Sequence, residues 1–132
     1  DSSFAVLTHN HKFLLLLRDN KPTIPYPNCW QFIGGRPDEG EQPEQTLLRE
    51  VKEEIGLTLT HPKFAFIFEP EDMKLYCYHQ TLSDNDLKQI KLGDEGQKLD
   101  FFTYEEAINL QLEGNSGIFL TEYKDFLIQV LN

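Results

Sequence analysis

A strand-like run, a pair of glycines and an amphipathic helix follow one another in the middle of the chain. The run CWQFI, rich in aromatic and apolar residues, leads directly into Gly34 and Gly35. Pro43 suits the first turn of a helix and Gly56 is a natural stop, so the sequence predicts a helix from Pro43 to Ile55. A strand, a glycine turn and a helix in this order form the frame for every later prediction.

The rest of the chain predicts further strands and helices in mixed order. Short β-favouring runs occur at 4–8, 12–18, 63–69, 73–81 and 99–103. Helical patterns occur at 104–110 and 118–131, and segment 82–97 is polar with no clear period. Adjacent strand pairs among helices predict an α+β fold, an α/β/α sandwich, formed by one domain over residues 1–132. A doubly wound parallel sheet is the alternative, but its glycine fingerprint is missing.

Charge and composition exclude several classes of protein. The chain carries 22 acidic and 12 basic residues, a net charge of −10, and so repels nucleic-acid polymers. No run approaches the ~20 apolar residues of a membrane span, and the N-terminus has no leader pattern, which predicts a soluble cytoplasmic protein without a membrane partner. Cys29 and Cys77 form no Cys-x-x-Cys pair, so they are predicted to be packing thiols.

Three carboxylates share one face of the predicted helix. At about 100° per residue, Glu50, Glu53 and Glu54 lie within about 100° of one another, beside an apolar stripe. Like charges at this spacing destabilise a helix by about 0.2–0.5 kcal/mol per pair, and Arg49 neutralises only one carboxylate. A hard divalent cation, Mg²⁺ or Mn²⁺, compensates all three, with a carbonyl of the Gly34-Gly35 turn as a further ligand.

From the helix alone, a second interpretation stays open. Glutamate-rich helices are common, and these carboxylates are then simply a solvated face. A calcium-binding acidic protein is a further alternative, but DEGEQPEQTLLRE lacks the central glycine and terminal glutamate of an EF-hand loop in the required positions. The spacing of the surrounding residues decides between these interpretations.

That spacing resembles the signature of the Nudix hydrolases. Gly35 is followed after five residues by Glu41 and, after seven more, by REVKEEIGL at 49–57, so every fixed position of the motif is occupied. The strand-like run before the motif and the helix that contains it match the family's context. The order of elements over the whole chain is similar to that of small MutT-like members.

The resemblance implies a Nudix fold with a mixed β-sheet and a catalytic strand-loop-helix. It implies a hydrolase that cleaves the pyrophosphate linkage of a nucleoside diphosphate joined to another moiety, with Mg²⁺ or Mn²⁺ as cofactor. By position in the motif, Glu50, Glu53, Glu54 and the carbonyl of Gly35 are the implied metal ligands. Glu50 also matches the position that serves as, or lies beside, the general base in some relatives.

The resemblance also implies a supporting role for Arg49 and Glu41 and a further metal ligand, Glu95. Arg49 and Glu41 match positions that orient the catalytic glutamates and hold the loop. MutT-like relatives take a further acidic ligand from a loop beyond the motif, and Glu95 in DEGQ matches it, with Asp94 as the substitute should the alignment shift by one. The alternative for Glu95 is an exposed loop side chain without a role.

Substrate recognition is predicted from residues near the motif. Tyr26, Trp30 and Phe32 offer rings for stacking on a base, although Trp30 is equally well explained as a core residue. Alternation along CWQFI places Trp30 and Phe32 on one face. Arg18 and Lys21 are candidates for contact with phosphates.

The substrate itself stays open among nucleoside triphosphates, ADP-ribose and sugar nucleotides, because fold analogy does not choose between them. A non-catalytic Nudix-fold module that binds a nucleotide or a protein is the alternative function. The complete set of motif glutamates argues against that alternative. The resemblance is compatible with a monomer or a homodimer.

Overall fold

The structure is a computed structural model that describes all residues from 1 to 132 and contains seven strands and five helices. The strands, in chain order, are β1 (Ser2–His9), β2 (Lys12–Leu17), β3 (Trp30–Gln31), β4 (Ile33–Gly35), β5 (Lys63–Phe68), β6 (Leu75–Thr81) and β7 (Lys98–Phe102). The helices are α1 (Pro43–Ile55), α2 (Asp84–Gln89), α3 (Tyr104–Ala107), α4 (Gly114–Glu122) and α5 (Lys124–Leu131).

Strand β1 lies at the centre of a mixed sheet. On one edge it pairs parallel with β6, from Ser2 opposite Leu75 to Thr8 opposite Thr81. On the other edge it pairs antiparallel with β2 and with β4. Strand β5 extends the sheet beyond β6, and β7 extends it beyond β2, both antiparallel. The mixed sheet that the family resemblance implies is confirmed.

The run CWQFI forms two short strands, where the sequence predicted one. Strands β1 and β2 separate after their hairpin turn, and the segment fills the space between them. Its first part pairs with β2, with Trp30 opposite Leu17, and its second part pairs with β1, with Gly35 opposite Ser3. The partner changes at Phe32, which lies between the two strands.

Apolar side chains of the central strands alternate between two cores, one on each face of the sheet. On β1, Ala5 and Leu7 belong to the core that α1 covers, whereas Val6 belongs to the opposite core. That second core also contains Phe119 of α4 and Leu127 of α5. Because helices cover both faces, the predicted α/β/α sandwich is confirmed.

Helix α1 has the predicted bounds because both of its ends are well capped. Pro43 is its first residue, and the backbone N–H of Gln42 donates to Gln45 Oε1 at 2.8 Å. Gly56 adopts a φ of +72°, the left-handed conformation that glycine allows, and its N–H donates to the carbonyl of Lys52. The apolar stripe is fully buried at Leu47, Val51 and Ile55.

The predicted terminal helix 118–131 is wrong in its extent. The structure has two helices, α4 and α5, which are separated at Tyr123, where φ is −115° and ψ is 34°. The Tyr123 ring stacks on Phe66 at 4.6 Å and on Phe119 at 5.1 Å between centroids. After this break, α5 buries Leu127 and Leu131.

Two further predictions differ from the structure. Segment 82–97 contains a short helix, α2, capped by Ser83, whose hydroxyl oxygen accepts from the N–H of Asp86 at 3.1 Å. No residue of α2 is buried, so the segment has no apolar period to detect, and only the Ser-x-x-Asp capping pattern marks it. Helix α3 ends at Ala107 and not at Leu110.

Two further observations concern the helices and the cysteines. No helix in the structure has both the length and the apolar character that a bilayer crossing demands. Cys29 and Cys77 are buried and unpaired, and they pack in the interior as predicted.

Candidate active site

A cavity of about 470 Å³ lies beside the glycine turn, and it has a charged end and an apolar end. The charged end is lined by Glu50, Glu54 and Glu95. The apolar end is lined by rings and aliphatic side chains that belong to, or pack against, the core on the α4 side of the sheet, namely Phe4, Phe32, Phe68, Met73, Leu75 and Phe119. The cavity thus joins an acidic surface to an apolar one, which suits a ligand with a phosphate part and a flat ring part.

The glycine turn brings backbone against the glutamates of α1. The N–H of Gly34 donates to Glu54 Oε1 at 2.9 Å. A Cβ placed on Gly35 would lie 2.4 Å from Glu50 Cδ, so only glycine lets the turn approach that carboxyl group. At Gly34 a Cβ would lie 2.1 Å from the carbonyl oxygen of Ser3 on the paired strand. Both glycines are therefore required by close packing.

The electrostatics of this end are unfavourable for negative charge. The pKa of Glu54 is raised to about 8, chiefly because its carboxyl group is buried and also because the charges of Glu50, Glu95 and Glu53 repel it. The hydrogen bond from Gly34 acts in the opposite direction. Burial likewise raises the pKa of Glu50, against the influence of Arg49. Proteins that keep such carboxylates together in a cavity commonly do so for function.

Arg49 holds the outer part of the acidic cluster. Its Nε and Nη2 donate to the two oxygens of Glu41 at 2.7 and 2.9 Å, a bidentate pair. Its Nη1 donates to Glu50 at 2.9 Å and to Glu53 at 3.3 Å, and Nη2 also donates to the carbonyl of Arg36. Arg49, with the N–H of Asp38 as the second influence, lowers the pKa of Glu41 to about 2.

Glu95 reaches the cavity from the loop between α2 and β7. The loop lies against the C-terminal end of α1, where the N–H of Gly93 donates to the carbonyl of Glu54 at 2.9 Å. A Cβ on Gly93 would lie 2.1 Å from the carbonyl oxygen of Glu53, so glycine is needed for this approach. Asp94, the substitute in the prediction, does not line the cavity.

Of the four predicted substrate-binding residues, two line the cavity and two do not. Arg18 and Phe32 line the cavity. Trp30 does not line it, and its ring packs instead against Phe102 at 4.8 Å between centroids. Tyr26 is 52% exposed and lies outside the cavity, where its hydroxyl packs on Gly114.

Lys21, the other predicted phosphate contact, pairs with Asp19 at 3.9 Å and is also outside the cavity. Trp30 and Phe32 belong to the same core, as alternation predicted.

Several residues of the cavity were not found from the sequence. Gln31, Asn115 and Ser116 supply polar groups to its wall. Ser116 Oγ accepts from the N–H of Phe32 at 3.2 Å, at the point where the strand changes partner. No motif marks these residues: Gln31 precedes the signature, and Asn115 and Ser116 lie on α4, which only the folded chain brings to this wall.

The donor set suits a hard divalent cation. The four predicted carboxylate ligands, Glu50, Glu53, Glu54 and Glu95, and the carbonyl of Gly35 offer oxygen donors of the kind that Mg²⁺ and Mn²⁺ prefer. In this structure no three acidic, histidine or cysteine side chains are already gathered around one point. The Glu53 side chain is 58% exposed and held only by Arg49 at 3.3 Å, so it is free to turn toward a cation. Glu54 has no cationic partner, which leaves its charge to be compensated.

Comparison with known proteins identifies the family. The NUDIX domain profile matches residues 1–122. The chain belongs to the Nudix family. An RNA pyrophosphohydrolase from a Nitratiruptor species is 60% identical over 90 residues, which cover 63% of this chain and 56% of that protein. This Nudix chain spans about half the length of the curated RNA pyrophosphohydrolases that it matches.

Solved Nudix structures agree with the fold. The NUDIX domain of Shewanella oneidensis NrtR complexed with ADP ribose has a TM-score of 0.73 at 20% identity, covering 96% of this chain and 86% of that one. A C. elegans Ap4A hydrolase binary complex has a TM-score of 0.71 at 23% identity, covering 98% and 99%. At these identities the likeness shows the fold, and the Nudix fold inferred from the motif is confirmed.

Proposed function

We propose that this Nudix chain is a divalent-metal-dependent hydrolase that cleaves the pyrophosphate linkage of a small nucleoside diphosphate derivative. The observation that carries the proposal is the convergence of Glu50, Glu54 and Glu95 on a cavity with an aromatic end. A protein of net charge −10 repels a pyrophosphate, so cations must lie between these carboxylates and the substrate. The pyrophosphohydrolase name of the Nitratiruptor relative supports the same chemistry.

In this proposal Mg²⁺ or Mn²⁺ is held by Glu50, Glu53, Glu54, Glu95 and the carbonyl of Gly35. When bound, such a cation polarises phosphoryl oxygens, lowers the pKa of a bound water and stabilises the leaving phosphate. Glu50 orients or deprotonates the attacking water, since it lines the cavity and its pKa is raised by burial.

Arg49 and Glu41 have a supporting role in the proposal. The bidentate pair fixes the guanidinium group, and Arg49 Nη1 then holds Glu50 in place. The positive charge also lowers the repulsion between the glutamates when no cation is bound.

Substrate contacts are proposed for Phe32 and Arg18. The Phe32 ring lies 5.8 Å from that of Phe4 and 5.4 Å from that of Phe119, and the three form an aromatic wall for a base. Arg18 donates to Gln31 Oε1 at 2.8 Å, which keeps its guanidinium beside the cavity, where it can contact a phosphate.

The alternative function is a binding module without catalysis. The NrtR structure supports it in part, since that NUDIX domain is described as a complex with ADP ribose. The complete glutamate set and its uncompensated charge favour the hydrolase. Turnover distinguishes the two, because a binding module retains ligand affinity but releases no product.

A substrate panel tests the proposed function. We expect release of phosphate, pyrophosphate or a nucleoside monophosphate from at least one nucleoside triphosphate, ADP-ribose or sugar nucleotide with Mg²⁺ or Mn²⁺, measured by chromatography. Excess EDTA should stop the reaction, and renewed Mg²⁺ should restore it. Ligand binding without product from any compound would favour the binding module. A 5′-triphosphorylated RNA belongs in the panel because of the Nitratiruptor relative, and we expect it to be a poor substrate for so acidic a chain.

Replacing Arg49 with lysine should lower kcat by about 10- to 100-fold, with a smaller change in KM. A lysine ammonium group lacks the planar fork that forms the bidentate pair with Glu41 while Nη1 donates to Glu50. Initial rates at saturating Mg²⁺ measure the effect. Lys52→Ala is the control on the same helix, because Lys52 is exposed and donates only to the Gly56 carbonyl. Equal activity of the Arg49→Lys and wild-type proteins would contradict the proposal that Arg49 orients Glu50.

We also propose that residues 1–132 act as one domain. Helix α5 lies beyond the family match, but its Leu127 and Leu131 pack in the same core as Phe119. The cytoplasmic location and the monomeric or dimeric state stay predictions.

A further inference from the structure

We propose that Gln97 is a positioning residue that holds Glu95 at the cavity. This inference rests on the proposed function, because it concerns a residue assigned there to cation binding. Gln97 itself does not line the cavity, and the family motif does not include it. Its side chain joins two loops that approach each other only in the folded chain.

The loop that carries Glu95 is anchored at two points. At the first, the N–H of Gly93 donates to the carbonyl of Glu54 on α1 at 2.9 Å. At the second, the backbone N–H of Gln97 donates to the carbonyl of Leu17 at 2.8 Å. The side-chain amide of Gln97 adds two bonds of 2.8 Å, from Nε2 to the carbonyl of Arg18 and to Asn28 Oδ1.

Between these anchors the only close packing is that of Gly96, where a Cβ would lie 2.9 Å from Leu16 Cδ2. Asp94 and Glu95 are exposed and form no hydrogen bond to the rest of the protein. Gly96 has a φ of +92°, a conformation that glycine enters without strain and leaves as easily. The position of the Glu95 carboxylate therefore depends mainly on the two anchors, and the Gln97 amide supplies two of the three hydrogen bonds of the second one.

Removing the amide donors should let the C-terminal end of this loop move. Glu95 then loses its fixed position, and a cation must order the loop when it binds. Residues that orient metal ligands typically change metal affinity by about 10- to 100-fold when they are replaced. We expect Gln97 to act at the lower end of this range, because one backbone bond to Leu17 survives.

Binding of Mn²⁺ to metal-free protein, measured by isothermal titration calorimetry, tests the inference without a need for turnover. Gln97→Ala should weaken Mn²⁺ binding about tenfold. Gln97→Met, which keeps the length of the side chain but has no donor, should have the same effect. Gln129→Ala is the matched control, because Gln129 is exposed on α5 away from the cavity, and its Kd should equal that of the wild type.

A double-mutant cycle with Glu95→Gln separates positioning from a general loss of structure. If Gln97 acts through Glu95, Gln97→Ala should add less than about twofold to the Kd of a Glu95→Gln protein. A full tenfold effect in that background, or wild-type binding by both Gln97 variants, would overturn the inference. Wild-type protein that binds no Mn²⁺ would instead overturn the proposed function, so the two failures are distinguishable.

Discussion

Replacing Glu54 with glutamine is expected to lower kcat/KM for the best substrate of the panel by about 10²- to 10³-fold, while the protein stays folded. The substitution keeps the oxygen that accepts from Gly34 but removes a charged ligand of the proposed cation. Loss of about 3–4 kcal/mol of stabilisation of phosphoryl charge corresponds to this factor. Glu53→Gln should act in the same direction, although its side chain is more exposed, at 58%.

Glu44→Gln is the matched control for these variants. Glu44 lies on the same helix, is exposed and forms no hydrogen bond through its side chain, so its neutralisation tests the charge change alone. Circular dichroism should show that all variants are folded. Activity of the Glu53→Gln and Glu54→Gln proteins within about twofold of the control would contradict the proposed metal site, since a lost ligand costs far more than this.

The element best predicted from the sequence is α1 with its preceding turn. Its bounds were predictable because Pro43 and Gly56 act locally, through fixed φ and the left-handed conformation. The direction of its faces was predictable as well, because a period of 3.6 residues per turn places Val51 on a different face from Glu50 and Glu54. Local geometry therefore defined both the buried stripe and the acidic face of this helix.

The other half of the cavity was not predictable, because it depends on contacts between distant segments. Phe119 and Asn115 come from α4, more than eighty residues after Phe32, and only the fold brings them together. The change of strand partner at Phe32 is likewise invisible in the sequence, since a split strand and a continuous one have the same alternation. Helix α4 ends at Tyr123, whose ring stacks on Phe66, and no capping residue in the sequence indicates this end.

The acidic cluster should also make protein stripped of divalent cations less stable as the pH rises. The folded-state pKa of Glu54 is about 8, above the usual value of 4.5, so the folded protein binds a proton that the unfolded chain releases. The contribution of Glu54 to the free energy of unfolding is therefore complete below about pH 4.5, and it is lost as the pH rises to about 8. Between pH 5 and 7.5 the loss should be on the order of 2–3 kcal/mol.

Comparison with Glu54→Gln isolates this effect from other titrating groups. Burial lowers the pKa of His79, which contributes a change of opposite sign near pH 6, but it does so equally in both proteins. Glu41 has a lowered pKa of about 2 and contributes only at more acidic pH. The difference in stability between the wild type and the Glu54→Gln protein therefore reports mainly the ionisation of Glu54.

Urea denaturation in EDTA at pH 5 and at pH 7.5 measures the difference. We expect the two proteins to have similar stability at pH 5 and the Glu54→Gln protein to be the more stable at pH 7.5, because glutamine has no proton that the unfolded chain can release. Mg²⁺ at a thousand times its Kd should reverse the order, since a cation that binds only the folded wild type then stabilises it by about 4.1 kcal/mol. Equal stability of the two metal-free proteins at both pH values would mean that burial and neighbouring charges do not disfavour ionised Glu54, and the physical reason for a cation beside it would be lost.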